Sequence, residues 1–109
     1  MYSWFQGAVE MRMTKSGIDF SSRVMVPDRV IAKALEDEMV LLDLASETYF
    51  GLNEMAAAMW QQLVRCATIE EAYETLLAEY DVSPDVLRAD LEELLQQLVE
   101  SRIVELSGP

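Results

Sequence analysis

Few residues in this 109-residue chain could do chemistry, and their spacing argues against catalysis. There is no histidine, which removes the commonest general base and the commonest metal ligand. The single cysteine, Cys66, falls near the end of a helical pattern, where the dipole disfavours a thiolate, so it reads as a core or semi-buried thiol. Glu70, Glu71 and Glu74 cluster at a helix start and could in principle hold a cation. Acids at that position complement the helix dipole, however, and read as solvated helix-start residues. Asp43 interrupts an apolar strand pattern and is assigned to an exposed face. Four scattered glycines cannot form a phosphate-binding loop. The expectation is a non-enzyme with no catalytic residues, no metal and no cofactor.

The elements that would position a site are clearer. Residues 1–22 show no periodicity and are read as a flexible arm, with Trp4-Phe5 packing loosely on a domain that spans residues 23–109. Pro27-Asp28 marks a turn, and residues 30–35 form a first strand that ends at Glu36-Asp37-Glu38. Residues 39–44 form a second strand, Ala45-Ser46-Glu47-Thr48 turns the chain, and Tyr49-Phe50-Gly51-Leu52 returns antiparallel. A symmetric turn would place Leu44 opposite Tyr49 and Leu42 opposite Gly51, with the outer edge of the third strand left open. Asn53 is an N-cap for a core helix carrying Met55, Ala56, Met59, Trp60 and Leu63. Thr68 and Glu71 form a capping box for a second helix, and Ser83-Pro84 opens a third. The third helix carries Leu87, Leu91, Leu94, Leu95, Leu98 and Val99, a face broader than one neighbour requires, so part of it is expected to stay accessible. Ile103-Val104-Glu105-Leu106 closes the chain as an extended segment. The fold class is α+β and winged helix-turn-helix-like: a three-stranded antiparallel sheet followed by three α-helices.

Charge narrows the partners. The net charge is -12, and residues 35–109 carry seventeen acids against three bases. The third helix, read to its end at residue 102, holds Asp85, Asp90, Glu92, Glu93 and Glu100 against Arg88 and Arg102, so it would be repelled by phosphates although the architecture suits a DNA-binding unit. No apolar run approaches the roughly 20 residues that span a bilayer, and a lone cysteine favours a reducing compartment. The expectation is a cytoplasmic protein that binds neither nucleic acid nor membrane.

The stretches VLLDLASETYFGLNEMAAAMWQQL and TIEEAYETLLAEYDVSPDVLRADLEELLQQLVESRIVEL together resemble the PqqD-like proteins, also called RiPP recognition elements. The likeness covers about residues 24–106: a strand ending Leu-Leu-Asp, a Tyr-bearing strand ending Leu-Asn, a Thr-Ile-Glu-Glu helix start and an Arg-Ile-Val ending. It implies a non-catalytic adaptor, a peptide chaperone that captures the leader of a ribosomally made precursor peptide by strand addition. The leader is then presented to a modifying enzyme: a radical SAM enzyme, leader protease or cyclase. Carried onto this chain, the pairing strand is Thr48, Tyr49, Phe50, Gly51 and Leu52, and the cleft wall is Arg88, Leu91, Leu95 and Val99. The Ala45-Ser46-Glu47 turn departs from the Pro-Glu-Gly-like turn of PqqD proper and places the chain nearer the stand-alone recognition proteins of lasso-peptide pathways. The alternatives are a winged-helix regulator, or an oligomerisation module such as a homodimer joined through the open strand edge.

Overall fold

The computed structural model describes the backbone of residues 2–5 and the whole of residues 18–108. Of the arm expected over residues 1–22, residues 1 and 6–17 lie outside the described residues. The described elements are β1 (Tyr2–Phe5), β2 (Arg23–Met25), β3 (Val30–Leu35), β4 (Glu38–Asp43) and β5 (Thr48–Leu52). There follow α1 (Glu54–Arg65), α2 (Ile69–Glu79), α3 (Pro84–Glu100) and β6 (Glu105–Ser107). β3, β4 and β5 form the expected three-stranded antiparallel sheet, and the three helices follow it. The class is α+β.

Alternation explains how the sheet meets the helices. Met39, Leu41 and Asp43 on β4 point inward with Phe50 and Leu52 of β5, while Val40, Leu42 and Tyr49 point outward. The inward side chains pack on Ala56, Met59, Trp60 and Leu63 of α1 and on Leu91, Leu94, Leu95 and Leu98 of α3 in one core. The β4–β5 register differs from the symmetric expectation. Leu42 pairs with Tyr49 and Val40 with Gly51, a slip of two residues, which leaves the in-and-out alternation of both strands unchanged. The cause is the turn. Glu47 adopts φ 57° and its amide donates to the Asp43 carbonyl at 2.8 Å, which moves the four-residue loop from 45–48 to 44–47. Asp43, assigned from sequence to an exposed face, shares the inward face with Met39 and Leu41 and is buried on the core side.

The helix starts are satisfied from several directions. Asn53 Oδ1 accepts the Ala56 amide at 2.9 Å, as a good N-cap should. At α2, Thr68 Oγ1 accepts the Glu71 amide, but Glu71 reaches back to the Ala67 amide, not to that of Thr68. The Ser22 and Phe20 carbonyls accept the Ile69 and Glu70 amides at 2.9 and 2.8 Å. Residues 18–22, assigned to the arm from sequence, thus cap a helix, and Phe20 is buried in the core. Ser83 makes no side-chain cap bond; α3 relies on Pro84 in its first turn and on the Ser83 carbonyl, which accepts the Leu87 amide.

Two connections were invisible in the sequence pattern. β6 pairs antiparallel with β2, Leu106 opposite Val24, which ties the end of the chain to the start of the domain. β1 pairs in parallel with the outer edge of β5, giving the sheet order β1-β5-β4-β3. The edge expected to be open is therefore covered by the chain's own Tyr-Ser-Trp-Phe segment. Three of those four residues are aromatic, a type enriched in strands, and an unpaired edge is a ready template for them.

Candidate functional site

The third strand contributes mainly backbone to any site. Phe50 and Leu52 are core side chains, Gly51 is buried, Tyr49 presents its side chain outward, and Thr48, half-buried, lies at the start of the strand on the face of Phe50, opposite Asp43. Around Tyr49, the outer face carries a cross-strand row with Leu42 and Ile31. Lys33, Leu35 and Val40 complete a shallow, mostly apolar groove of about 530 Å³.

A second depression of about 990 Å³ lies between the β4–β5 turn and the end of α3. Its lining includes Arg29, Asp43, Thr48, Val99, Arg102 and Glu105. Local sequence builds it. α3 ends in a Schellman motif, the Ile103 amide donating to the Leu98 carbonyl and the Arg102 amide to that of Val99. Arg102 takes the left-handed position at φ 61°, where glycine is usual. Its carbonyl accepts Arg29 Nη2 at 2.6 Å. Arg29 Nε lies 3.3 Å from Asp43 Oδ1, so one guanidinium joins the sheet to the helix end. Burial pushes the Asp43 carboxyl up, but donors from Ala45, Ser46 and Arg29, with the Arg29 charge, outweigh it and hold it below the ordinary range. Two arginines here face two acids, so this cleft carries no acidic excess although the chain as a whole does.

The residues assigned to the cleft wall from the resemblance lie in three different settings. Val99 is 37 % exposed and shares the cleft with Thr48. Leu91 and Leu95 are 0 % exposed, so the broad apolar face of α3 is consumed by the core and leaves no accessible strip at those positions. Arg88 lies eleven residues before Val99, about 16 Å along the helix axis. Its guanidinium stacks 4.0 Å from the Phe20 ring and 5.5 Å from that of Tyr73, with Glu70 Oε1 at 4.0 Å. Arg29 and Arg102 were missed in the sequence: a lone arginine after a turn and another after a helix carry no distinguishing signal.

The other chemistry-bearing groups are engaged structurally. The Cys66 Sγ lies 3.8 Å from Gln62 Oε1 and 4.0 Å from Thr75 Oγ1. Glu70 and Glu71 are occupied by Arg88 and the Ala67 amide, and no cluster able to hold a metal ion occurs among the described residues. No described helix is long and apolar enough to cross a membrane. Asp90, on α3, is 8 % exposed and its Oδ1 has no hydrogen-bond partner among the described residues. Burial, aided by the Glu93 charge, pushes its carboxyl up to about 6.

The fold and its clefts define a small winged-helix domain of the α+β class. The family model for coenzyme PQQ synthesis protein D (PqqD) matches residues 38–104, and the chain belongs to that family. Two solved structures are similar to it. TbiB1 in complex with the TbiA(beta) leader peptide is 32 % identical with a TM-score of 0.68, over 74 % of this chain and 94 % of that one. A lasso peptide synthetase B1 complexed with the leader peptide is 27 % identical with a TM-score of 0.66, over 76 % of this chain and 98 % of that one. No curated protein matches the sequence.

Proposed function

We propose that the chain is a non-catalytic adaptor that binds the leader of a ribosomally synthesised precursor, of the lasso-peptide type, and presents it to a modifying enzyme. The observation that carries this reading is its similarity, over nearly the whole of each relative, to two proteins captured with leader peptides. The leader pairs along residues 48–52, where main-chain hydrogen bonds provide affinity, and continues into the cleft between Thr48 and Val99. Tyr49 and the Leu42–Ile31 row offer apolar contact to alternate leader side chains. The engaged state of Cys66, Glu70 and Glu71 fits a binding role. The partner enzyme is a leader protease, cyclase or radical SAM enzyme acting on the presented peptide.

Calorimetric titration with lasso-precursor leader peptides tests the proposal. Binding with a negative heat-capacity change is expected, because apolar surface is covered. Proline at Tyr49 or Gly51 should weaken it at least tenfold with the far-ultraviolet spectrum unchanged, since proline removes a backbone donor. Absence of binding by any such leader would overturn the reading, and unchanged affinity in both proline variants would remove the strand-addition geometry.

A further inference from the structure

The outer edge of β5 is already paired, and the occupant belongs to the same chain. β1 runs parallel to β5 with Tyr2 opposite Tyr49, Ser3 opposite Phe50, Trp4 opposite Gly51 and Phe5 opposite Leu52. Four of the five residues of β5 are covered, Gly51 being enclosed between the Val40 position of β4 and the Trp4 position of β1. These are the main-chain groups an added strand would need. The occupant is weakly committed. It is four residues long, forms the outermost strand of its sheet, and pairs in parallel, the less stable arrangement per residue. Its advantage is covalent: a segment of the same chain competes at an effective concentration on the order of millimolar when its tether is short.

We propose that Tyr2–Phe5 is an intramolecular stand-in for the leader, closing the β5 edge until a leader peptide displaces it. This inference rests on the leader-binding reading and adds its regulation. Closure has two consequences. It hides a strand edge that would otherwise pair with other copies. It also lowers the apparent leader affinity by the fraction of molecules whose edge is open, so a ten-to-one preference for the closed form costs about tenfold.

The test uses the full chain and a full-length variant with Ser3→Pro and Trp4→Pro, which disrupts β1 and leaves β5 intact. Each is titrated with a fluorescein-labelled lasso-precursor leader, and hydrogen exchange is followed at residues 2–5 and 48–52. The expected result is about tenfold tighter binding by the variant. In the unsubstituted chain, leader addition should remove protection from residues 2–5 while residues 48–52 stay protected. A synthetic peptide of residues 1–6, added to the variant, should compete with the leader. Equal affinities with residues 2–5 still protected under saturating leader would overturn the displacement and leave leader binding standing. Weaker binding by the variant would also overturn it, because β1 would then be part of the platform. Failure of both proteins to bind would overturn the leader-binding reading and this inference together.

Discussion

Two buried aspartates respond to pH in opposite senses, and residue-level chemistry explains both. Asp43 has its folded pKa held down by donors and by Arg29, so the stability it contributes is present above the ordinary carboxylate range and lost as pH falls through its depressed value. Asp90 has its folded pKa raised from 3.8 to about 6 with no donor to its Oδ1 among the described residues. The folded state then binds the extra proton, so the contribution is full below the unfolded value and is lost as pH rises through about 6. Asp90→Asn should therefore raise unfolding free energy at pH 7 by roughly 1–2 kcal/mol, allowing for partial solvent screening, and by little at pH 3.5. Urea denaturation of both proteins across pH 3.5–7 measures the difference; a constant gap would mean that the charge is not responsible. Arg102 supplies a second residue-scale case. Its left-handed φ of 61° suits glycine, and its bond to Arg29 uses the carbonyl, which Arg102→Gly keeps. That substitution should add roughly 0.5–1 kcal/mol, the relief of strain exceeding the extra unfolded-state entropy of glycine. A thermal midpoint at or below that of the parent would count against strain at this position.

At the scale of elements, the helices were legible because their signals are local, whereas the strand partners were not. Asn53, Thr68 and Pro84 mark helix starts within a turn of the backbone they serve, and the structure places α1, α2 and α3 there. The pairing of β2 with β6 joins residues some 80 positions apart, and nothing in Arg23–Met25 encodes Glu105–Ser107 as a partner. β1 is hidden for the same reason. The candidate site divides along this line too: β5 could be read from its alternation, but the cleft beside it depends on Arg29 meeting the Arg102 carbonyl across the fold. Asp43 was within reach, since Met39, Leu41 and Asp43 share one strand face; its polarity argued for the wrong side until the Arg29 partner was known. The α3 face separates packing from binding. Leu95 is fully buried, so Leu95→Ala should cost about 2–5 kcal/mol of stability. Val99→Asp, at an exposed position in the cleft, should change stability by less than about 1 kcal/mol. It should nonetheless weaken leader binding severalfold. Denaturation and titration of the same two variants check this, and a Val99→Asp protein with unaltered leader affinity would exclude the cleft from the binding path.

At the scale of the whole molecule, charge is the dominant physical fact. Twenty acids against eight bases leave a net charge of -12, and residues 35–109 hold seventeen of those acids. Such self-repulsion destabilises the compact state while it keeps molecules apart. Among the described residues offsetting attraction is sparse: Arg29 pairs with Asp43, and Arg88 meets Glu70 at 4.0 Å with both side chains substantially exposed. Exposed pairs contribute little, and the Asp43 pair is reinforced by the Ala45 backbone amide, a donor that salt does not screen appreciably. Repulsion acts over many separations, and the Debye length shrinks from about 30 Å at 0.01 M salt to about 8 Å at 0.15 M. The balance predicts that sodium chloride stabilises this protein. Its thermal midpoint should rise by a few degrees between 10 and 300 mM, and the same increase in salt should speed association with an acidic leader and slow it with a basic one. Scanning calorimetry at several salt concentrations reads the first effect and stopped-flow mixing the second. A midpoint that falls with salt would mean that the few ion pairs outweigh the summed repulsion.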